Sequence, residues 1–277
     1  MNYNQLEVLR ESLEQCDEII LDALLMRNRI VEDILSYKEE HGLQIVQPEQ
    51  EEKRRKLFEA RMEGRRHRQE VQNVFDAILW NSKRIQSQHL FDFNIVLIGF
   101  MGCGKSTISD ALSGIFAMDV IEMDQIIASR EGMSISEIFA ERGEEYFRDC
   151  ETNLLRELQS EKNVVISCGG GTPLREVNVV EMKKNGKVIF LTAEPETILE
   201  RVRDSHDRPL IEENKTVPFI AELMEKRREK YEKAADIIIH TDHKTTYEIC
   251  EEIIARVRAV AEKPGIPSQP LKAQSRQ

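Results

Sequence analysis

Several absences bound this sequence before any motif does. No apolar run approaches the ~20 residues of a membrane-spanning helix, and Met1 to Gln15 is polar with a helical pattern, unlike a secretory leader. There is no excess of positive charge: Lys and Arg number 39 against 50 Asp and Glu, for a net charge of −11. That balance argues against a nucleic-acid or membrane-surface partner, and any anionic ligand must be met by a local cluster of Arg and Lys. Cysteine is sparse and unpatterned. The five residues Cys16, Cys103, Cys150, Cys168 and Cys250 are odd in number and form no C-x-x-C pair, which fits free thiols in a reducing cytoplasm. There is no internal repeat and no His/Cys cluster of metal-site spacing. Glycine and proline are missing altogether before Gly42.

That last gap shapes the first third of the chain. Leu6, Leu9, Leu13, Cys16, Ile20, Leu24, Val31, Ile34 and Leu35 recur at helical spacing, which predicts one helix from about Gln5 to Glu40. Gly42 to Pro48 breaks it. A second helix is expected from Glu49 to about Glu63, ended by Gly64, and a third from about Arg66 to His89. A helix of about 35 residues projects ~50 Å, so a partner chain is the natural cover for its apolar stripe. Arg27 and Lys38 stand close to three full turns apart and share a face. Arg10 lies about 100° around the axis from Arg27, placed to enter a partner's pocket. Ser82 and Gln86 share a face of the third helix.

From Asn94 onward the pattern alternates strand and helix. Strands are expected at Ile95–Ile98, Asp119–Glu122, Val164–Ser167, Val188–Leu191 and Ile237–Ile239, the signature of an α/β doubly wound domain with a parallel sheet. Between the first strand and a helix predicted over Ile108 to Phe116 lies Gly99-Phe-Met-Gly-Cys-Gly-Lys-Ser-Thr107. This is the phosphate-binding loop G-x-x-x-x-G-K-[ST] in its strand–loop–helix setting. Its glycines let backbone N–H groups turn toward a phosphate, and the helix N-terminus adds positive potential. Lys105 reaches β- and γ-phosphates, and Ser106 can ligate Mg²⁺. Further groups follow at strand ends, where ligands bind in such sheets: Glu122-Met-Asp124, Gly143-Glu-Glu-Tyr-Phe-Arg148 with Glu151, Cys168-Gly-Gly-Gly171, Arg201 and Arg203, Arg208-Pro-Leu210, and Arg227 four residues before Tyr231.

In this order after a phosphate loop, the set G-F-M-G-x-G-K-S-T, G-E-x-x-F-R-x-x-E, G-G-G and R-P-L closely resembles the shikimate kinases. The resemblance implies that ATP's phosphates lie on the loop, contacted by Gly102, Cys103, Gly104, Lys105, Ser106 and Thr107. Mg²⁺ is then held by Ser106 and, through water, by Glu122, where the family usually has Asp. Asp124 binds shikimate hydroxyls and activates the attacking one. Arg148 and Arg227 grip the shikimate carboxylate, and Gly169, Gly170 and Gly171 offer backbone N–H groups. Lys105 and Arg208 neutralise the transferring phosphoryl, Asp204 to Asp207 begin a lid, and Arg201 or Arg203 flanks adenine. Cys103 and Cys168 suit either small packing positions or redox-sensitive thiols.

The stretch Leu6 to Arg27, L-x-x-L-R-x-x-L-x-x-x-D followed by I-L-x-x-L-L-x-x-R, resembles with small departures the all-helical (type II) chorismate mutase family. The pattern covers roughly the first 88 residues. That resemblance implies an intertwined three-helix homodimer whose cationic pockets bind chorismate and rearrange it to prephenate without acid–base chemistry. The implied ligands are Arg10 of the partner chain with Arg27, Lys38, Glu51, Ser82 and Gln86, of which Lys38 and Gln86 stand near the ether oxygen. The family carries Arg just before that Glu and Asp three residues earlier; here Gln50 and Gln47 stand instead. Loss of a carboxylate-gripping cation costs on the order of 1.5–3 kcal/mol of binding, so a non-catalytic dimerisation or regulatory module is the alternative. The expected organisation is a helical domain over 1–90, a kinase domain over 93–260 and a disordered tail over 261–277.

Overall fold

The computed structural model describes residues 3–203 and 214–261. The lid expected to begin over Asp204–Asp207, Arg208, and the expected tail from 262 on lie outside the described residues. The chain divides into two compact units. The first comprises the N-terminal helices through Asn94 with Ser109–Ile121 and Ser160–Ile166; the second comprises Ile95–Ile108, Glu122–Gln159 and the residues from Ser167 on.

In the first unit, α1 (Tyr3–Glu40) runs unbroken, as its lack of Gly and Pro dictates. Pro48, with no N–H to lose, opens α2 (Pro48–Met62). A turn with Gly64 and His67 at positive φ leads into α3 (Arg68–Leu90). The apolar stripe of α1 has two fates. Val31 and Leu35 are buried, while Leu6, Leu9, Leu13 and Ile20 stand exposed, as do Ile19, Leu21 and Leu25 beside them. The end of α3 is pinned by specific bonds. Ser87 Oγ donates to Asn163 Oδ1 at 2.8 Å, Asn163 Nδ2 donates to the Ser87 and Phe91 carbonyls at 2.9 and 3.1 Å, and Phe91 meets Phe116 edge-on at 5.3 Å.

The sheet holds β1 (Asn94–Ile98), β2 (Asp119–Glu122), β3 (Val164–Ser167), β4 (Gly186–Thr192) and β5 (Ile237–His240) in the order β2-β3-β1-β4-β5. β4 and β5 pair in parallel with Ile189 opposite Ile237 and Leu191 opposite Ile239. β1 and β3 are buried at every position, as continuous apolar runs in a covered sheet must be. The intervening helices are α4 (Lys105–Phe116), α5 (Met123–Glu131), α6 (Ile135–Glu157), α7 (Glu176–Asn185), α8 (Pro195–Val202), α9 (Val217–Ala234) and α10 (Thr246–Ala261). A Ser134–Glu137 capping box starts α6. Within it Gly143, at φ 85° and ψ 162°, kinks the helix and re-aims its second half. No helix among the described residues is long and apolar enough to cross a membrane.

Candidate active sites

The carboxyl ends of the strands open into a cavity of about 730 Å³. It is lined by the loop after β1 and, among others, by Glu122, Asp124, Arg148, Gly169–Gly171, Arg201 and Arg227. Helix α4 begins at Lys105, inside the motif rather than at Ile108, so Ser106 and Thr107 sit in its first turn. The first N–H groups of a helix have no acceptor within it, and here they border the cavity. Gly102 and Gly104 hold φ of 77° and 97°. A Cβ on Gly104 would meet nothing nearer than Arg201 at 4.0 Å, so the cradle has room for a phosphate. Lys105 Nζ donates to the Gly99 and Phe100 carbonyls at 2.9 and 3.3 Å, at the mouth of the loop. Ser106 and Glu122 line the same cavity as hard oxygen donors of the kind Mg²⁺ takes beside nucleotide phosphates. Among the described residues, no three His, Cys, Asp or Glu side chains cluster as a metal site.

The glycine triplet after β3 forms a floor on which four charged groups lean. A Cβ on Gly169 would come 2.5 Å from Asp124 Oδ1 and 3.0 Å from Glu151 Oε1. One on Gly171 would fall inside the Arg148 guanidinium. Gly170 is less constrained, with Tyr231 Oη and Arg227 Nη1 at 3.8 and 3.9 Å from such a Cβ. The floor is tied down from beneath. The Tyr231 hydroxyl donates to the Gly170 carbonyl at 2.5 Å, and its ring stacks on Phe190 at 5.0 Å. Burial pushes the phenol up to about 12 against the pull of the Arg227 charge, so it remains a donor at neutral pH.

Arg148 is braced on both sides. Its Nη1 donates to Glu151 Oε2 at 2.9 Å and its Nη2 to Glu144 Oε1 at 2.7 Å, with the Phe147 ring 5.5 Å away. Burial draws the guanidinium's pKa down, and the two carboxylates outweigh it, leaving the pKa above its ordinary value. Glu151 is fully buried, and Thr172 Oγ1 donates to its other oxygen. Burial lifts Glu151 above the usual carboxylate range, aided by Asp124 and opposed by Arg148 and Thr172. Arg227 places its guanidinium 5.7 Å over Phe100. Glu151 falls in the recognised motif, but the roles of Thr172 and Tyr231 carried no signal beyond their proximity in sequence to the glycines and to Arg227.

At the other end, Arg201 lines the cavity and is fixed by Thr241, whose Oγ1 accepts from Nη1 at 3.0 Å and whose carbonyl accepts from Nη2 at 3.2 Å. Arg203 is exposed at the α8 C-terminus and is not among the described residues lining the cavity. Two residues apart on a helix cannot share a face. Cys103 and Cys168 are both buried. Cys168 lies 3.7 Å from Met182 Sδ, and burial pushes its thiol far up, so it packs as a neutral side chain.

In the first unit, Arg27 reaches from α1 to α3, donating from Nη1 to Ser82 Oγ and to the Ile78 carbonyl. Burial, with the like charge of Arg54, draws its pKa down. Lys38 Nζ donates to the Ile45 carbonyl at 2.8 Å, and Gln86 is half-buried one turn beyond Ser82. Glu51 pairs with Lys83 at 3.0 Å. Arg10 is not brought to these groups: it is exposed and pairs with Glu7 of its own helix at 2.7 Å.

Comparison with known proteins matches both halves. A shikimate kinase family model covers residues 101–258, and a chorismate mutase type II model covers residues 9–87. The shikimate kinase of Persephonella marina is 42% identical over 165 residues, spanning 60% of this chain and 99% of that protein. The solved shikimate kinase of Aquifex aeolicus aligns at 37% identity with a TM-score of 0.53, covering 62% of this chain and 99% of that one. The shikimate kinase from Acinetobacter baumannii in complex with shikimate aligns at 29% identity with a TM-score of 0.58, covering 62% and 96%. The chain belongs to the shikimate kinase family, and the same chain carries, before the kinase domain in sequence, a segment of the chorismate mutase type II family.

Proposed function

We propose that this chain transfers the γ-phosphoryl group of ATP to the 3-hydroxyl of shikimate, and that its helical segment, as a homodimer, rearranges chorismate to prephenate. Both reactions belong to aromatic amino-acid biosynthesis, and five free thiols suit the reducing cytoplasm where it runs. The observation that carries the kinase reading is the line of Asp124, Arg227 and Arg148 along Gly169–Gly171, in one cavity with the phosphate loop. Two guanidinium forks match a carboxylate. A carboxylate at the far end of the floor matches a hydroxyl. In the reaction the 3-hydroxyl oxygen bonds to Pγ, the bond from Pγ to ADP breaks, and the hydroxyl proton passes to Asp124. Lys105 offsets charge on the transferring group, joined by Arg208, which lies outside the described residues. Ser106 and Glu122 would hold Mg²⁺, which when bound neutralises phosphate charge. Arg201 is the adenine-side arginine.

The mutase reading is supported by Arg27 of α1 docking on Ser82 of α3, with Lys38 and Gln86 completing the pocket and Arg10 supplied by a second copy that covers the exposed α1 stripe. Gln47 and Gln50 favour the second reading, a dimerisation or regulatory module without turnover. The test is direct. Shikimate-dependent ADP release should disappear in Lys105→Ala, and loss of chorismate absorbance should disappear in Lys38→Ala. ADP release without chorismate loss would leave the helices as a module, and absence of ADP release with shikimate would reject the kinase reading.

A further inference from the structure

The departure at Gln50 leaves the helical pocket short of a cation, and the structure offers a replacement one turn on. Two contacts fix the register of α2 against α3: Glu51 pairs with Lys83 at 3.0 Å, and Phe58 stacks on Phe75 with centroids 4.8 Å apart. Arg54 lies between these contacts on α2. It therefore falls level with the α3 turn between them, Ile78 to Ser82, the same turn on which Arg27 docks. Gln50 and Arg54 stand four residues apart and share a helix face. The charge of Arg54 is felt at Arg27, after burial the second cause that lowers its pKa.

Neither Arg27 nor Arg54 has a carboxylate partner among the described residues. Arg55, the next residue, is clamped by Glu52 at 2.8 Å and Glu59 at 3.1 Å. Acidic residues are plentiful in this chain, yet two guanidinium groups within electrostatic reach of each other remain without one. Like charges so placed repel, and an anion between them reverses the sign.

We infer that Arg54 is the second carboxylate-binding cation of the helical pocket, taking with Arg27 the role that Gln50 cannot fill for a dicarboxylate ligand. This rests on the mutase reading above. The test compares full-length chains. In Arg54→Gln the KM for chorismate should rise roughly ten- to a hundredfold, the loss of one charge-assisted contact. Arg54→Lys should fall between, keeping charge without the fork. Gln50→Arg added to Arg54→Gln should restore KM. Shikimate phosphorylation, measured on each variant, reports that the chain is folded and should not change. Turnover with KM unchanged in Arg54→Gln overturns the inference and leaves the mutase reading standing. If the wild-type chain does not turn chorismate over, calorimetric titration with chorismate decides. Binding at least tenfold weaker in Arg54→Gln supports the inference, equal binding overturns it, and no binding by the wild-type chain overturns it together with any ligand role for the helices.

Discussion

In the α/β cavity several of the proposed ligands are braced by their own chain. Arg148 rests between Glu144 and Glu151, Arg201 on Thr241, and the glycine floor on Tyr231. In the helical segment the corresponding groups are only half assembled. Arg27 is held by Ser82, but Arg10 stands in solvent paired to its own helix, amid an exposed apolar stripe. In the proposed function both ligand sets bind carboxylated molecules through arginines in a strongly acidic chain. On that proposal they differ in where the supporting contacts come from: side chains of the same chain in one, a second copy in the other.

The sharpest way to break this contrast is to charge the stripe. Leu13 and Ile20 are 63% and 54% exposed in one chain, so Leu13→Glu with Ile20→Glu leaves the single chain folded and desolvates two carboxylates in a dimer. Light scattering should report a monomer, chorismate turnover should fall by roughly a hundredfold or more, and ADP release with shikimate should stay within about twofold. A monomer that still turns chorismate over would undo the distinction.

The kinase floor makes a finer contrast between neighbours. Gly171→Ala drives a methyl into the Arg148 guanidinium, whereas Gly170→Ala meets only atoms at 3.7 Å or beyond. The KM for shikimate should rise roughly tenfold or more in the first and only a few-fold in the second. Equal effects would mean that Arg148 is not what the glycine accommodates.

Tyr231→Phe is the smallest change. It removes the hydrogen bond to the half-buried Gly170 carbonyl, at a cost of about 1 kcal/mol near neutral pH. Folding raises this phenol to about 12. In the window between about pH 10 and that value the unfolded chain has released a proton that the native chain keeps. The stability contribution is therefore complete below about pH 10 and is lost as pH climbs toward the native value. Denaturant midpoints of the two chains should converge across that window; parallel curves would contradict the assigned bond.

Much of this was legible in the sequence because the signals were local. Buried strands are continuous apolar runs, and the expected Asp119–Glu122 and Val164–Ser167 strands form over those residues. The long α1 follows from 41 residues without Gly or Pro. What escaped was set by tertiary contact. The sequence resemblance makes Gly169 and Gly171 backbone donors, and their own-chain neighbours also forbid a side chain there. Arg201 and Arg203 are equivalent in composition, and only the rotation of α8 separates them. Cys168 directly precedes the glycine triplet in sequence, but burial makes it an inert packing group. Arg54 could be distinguished from the adjacent Arg55 only by the contacts that fix α2 on α3.

The most direct measurement is complementation. Chains carrying Arg10→Ala and chains carrying Lys38→Ala should each be inactive on chorismate. Co-expressed, they should recover about a quarter of wild-type turnover, since random pairing makes half the dimers mixed and each mixed dimer has one intact pocket. Lys105→Ala and Arg148→Ala chains treated alike should show no shikimate phosphorylation beyond the sum of the two alone. Failure of the first pair to complement, or success of the second, would contradict the account.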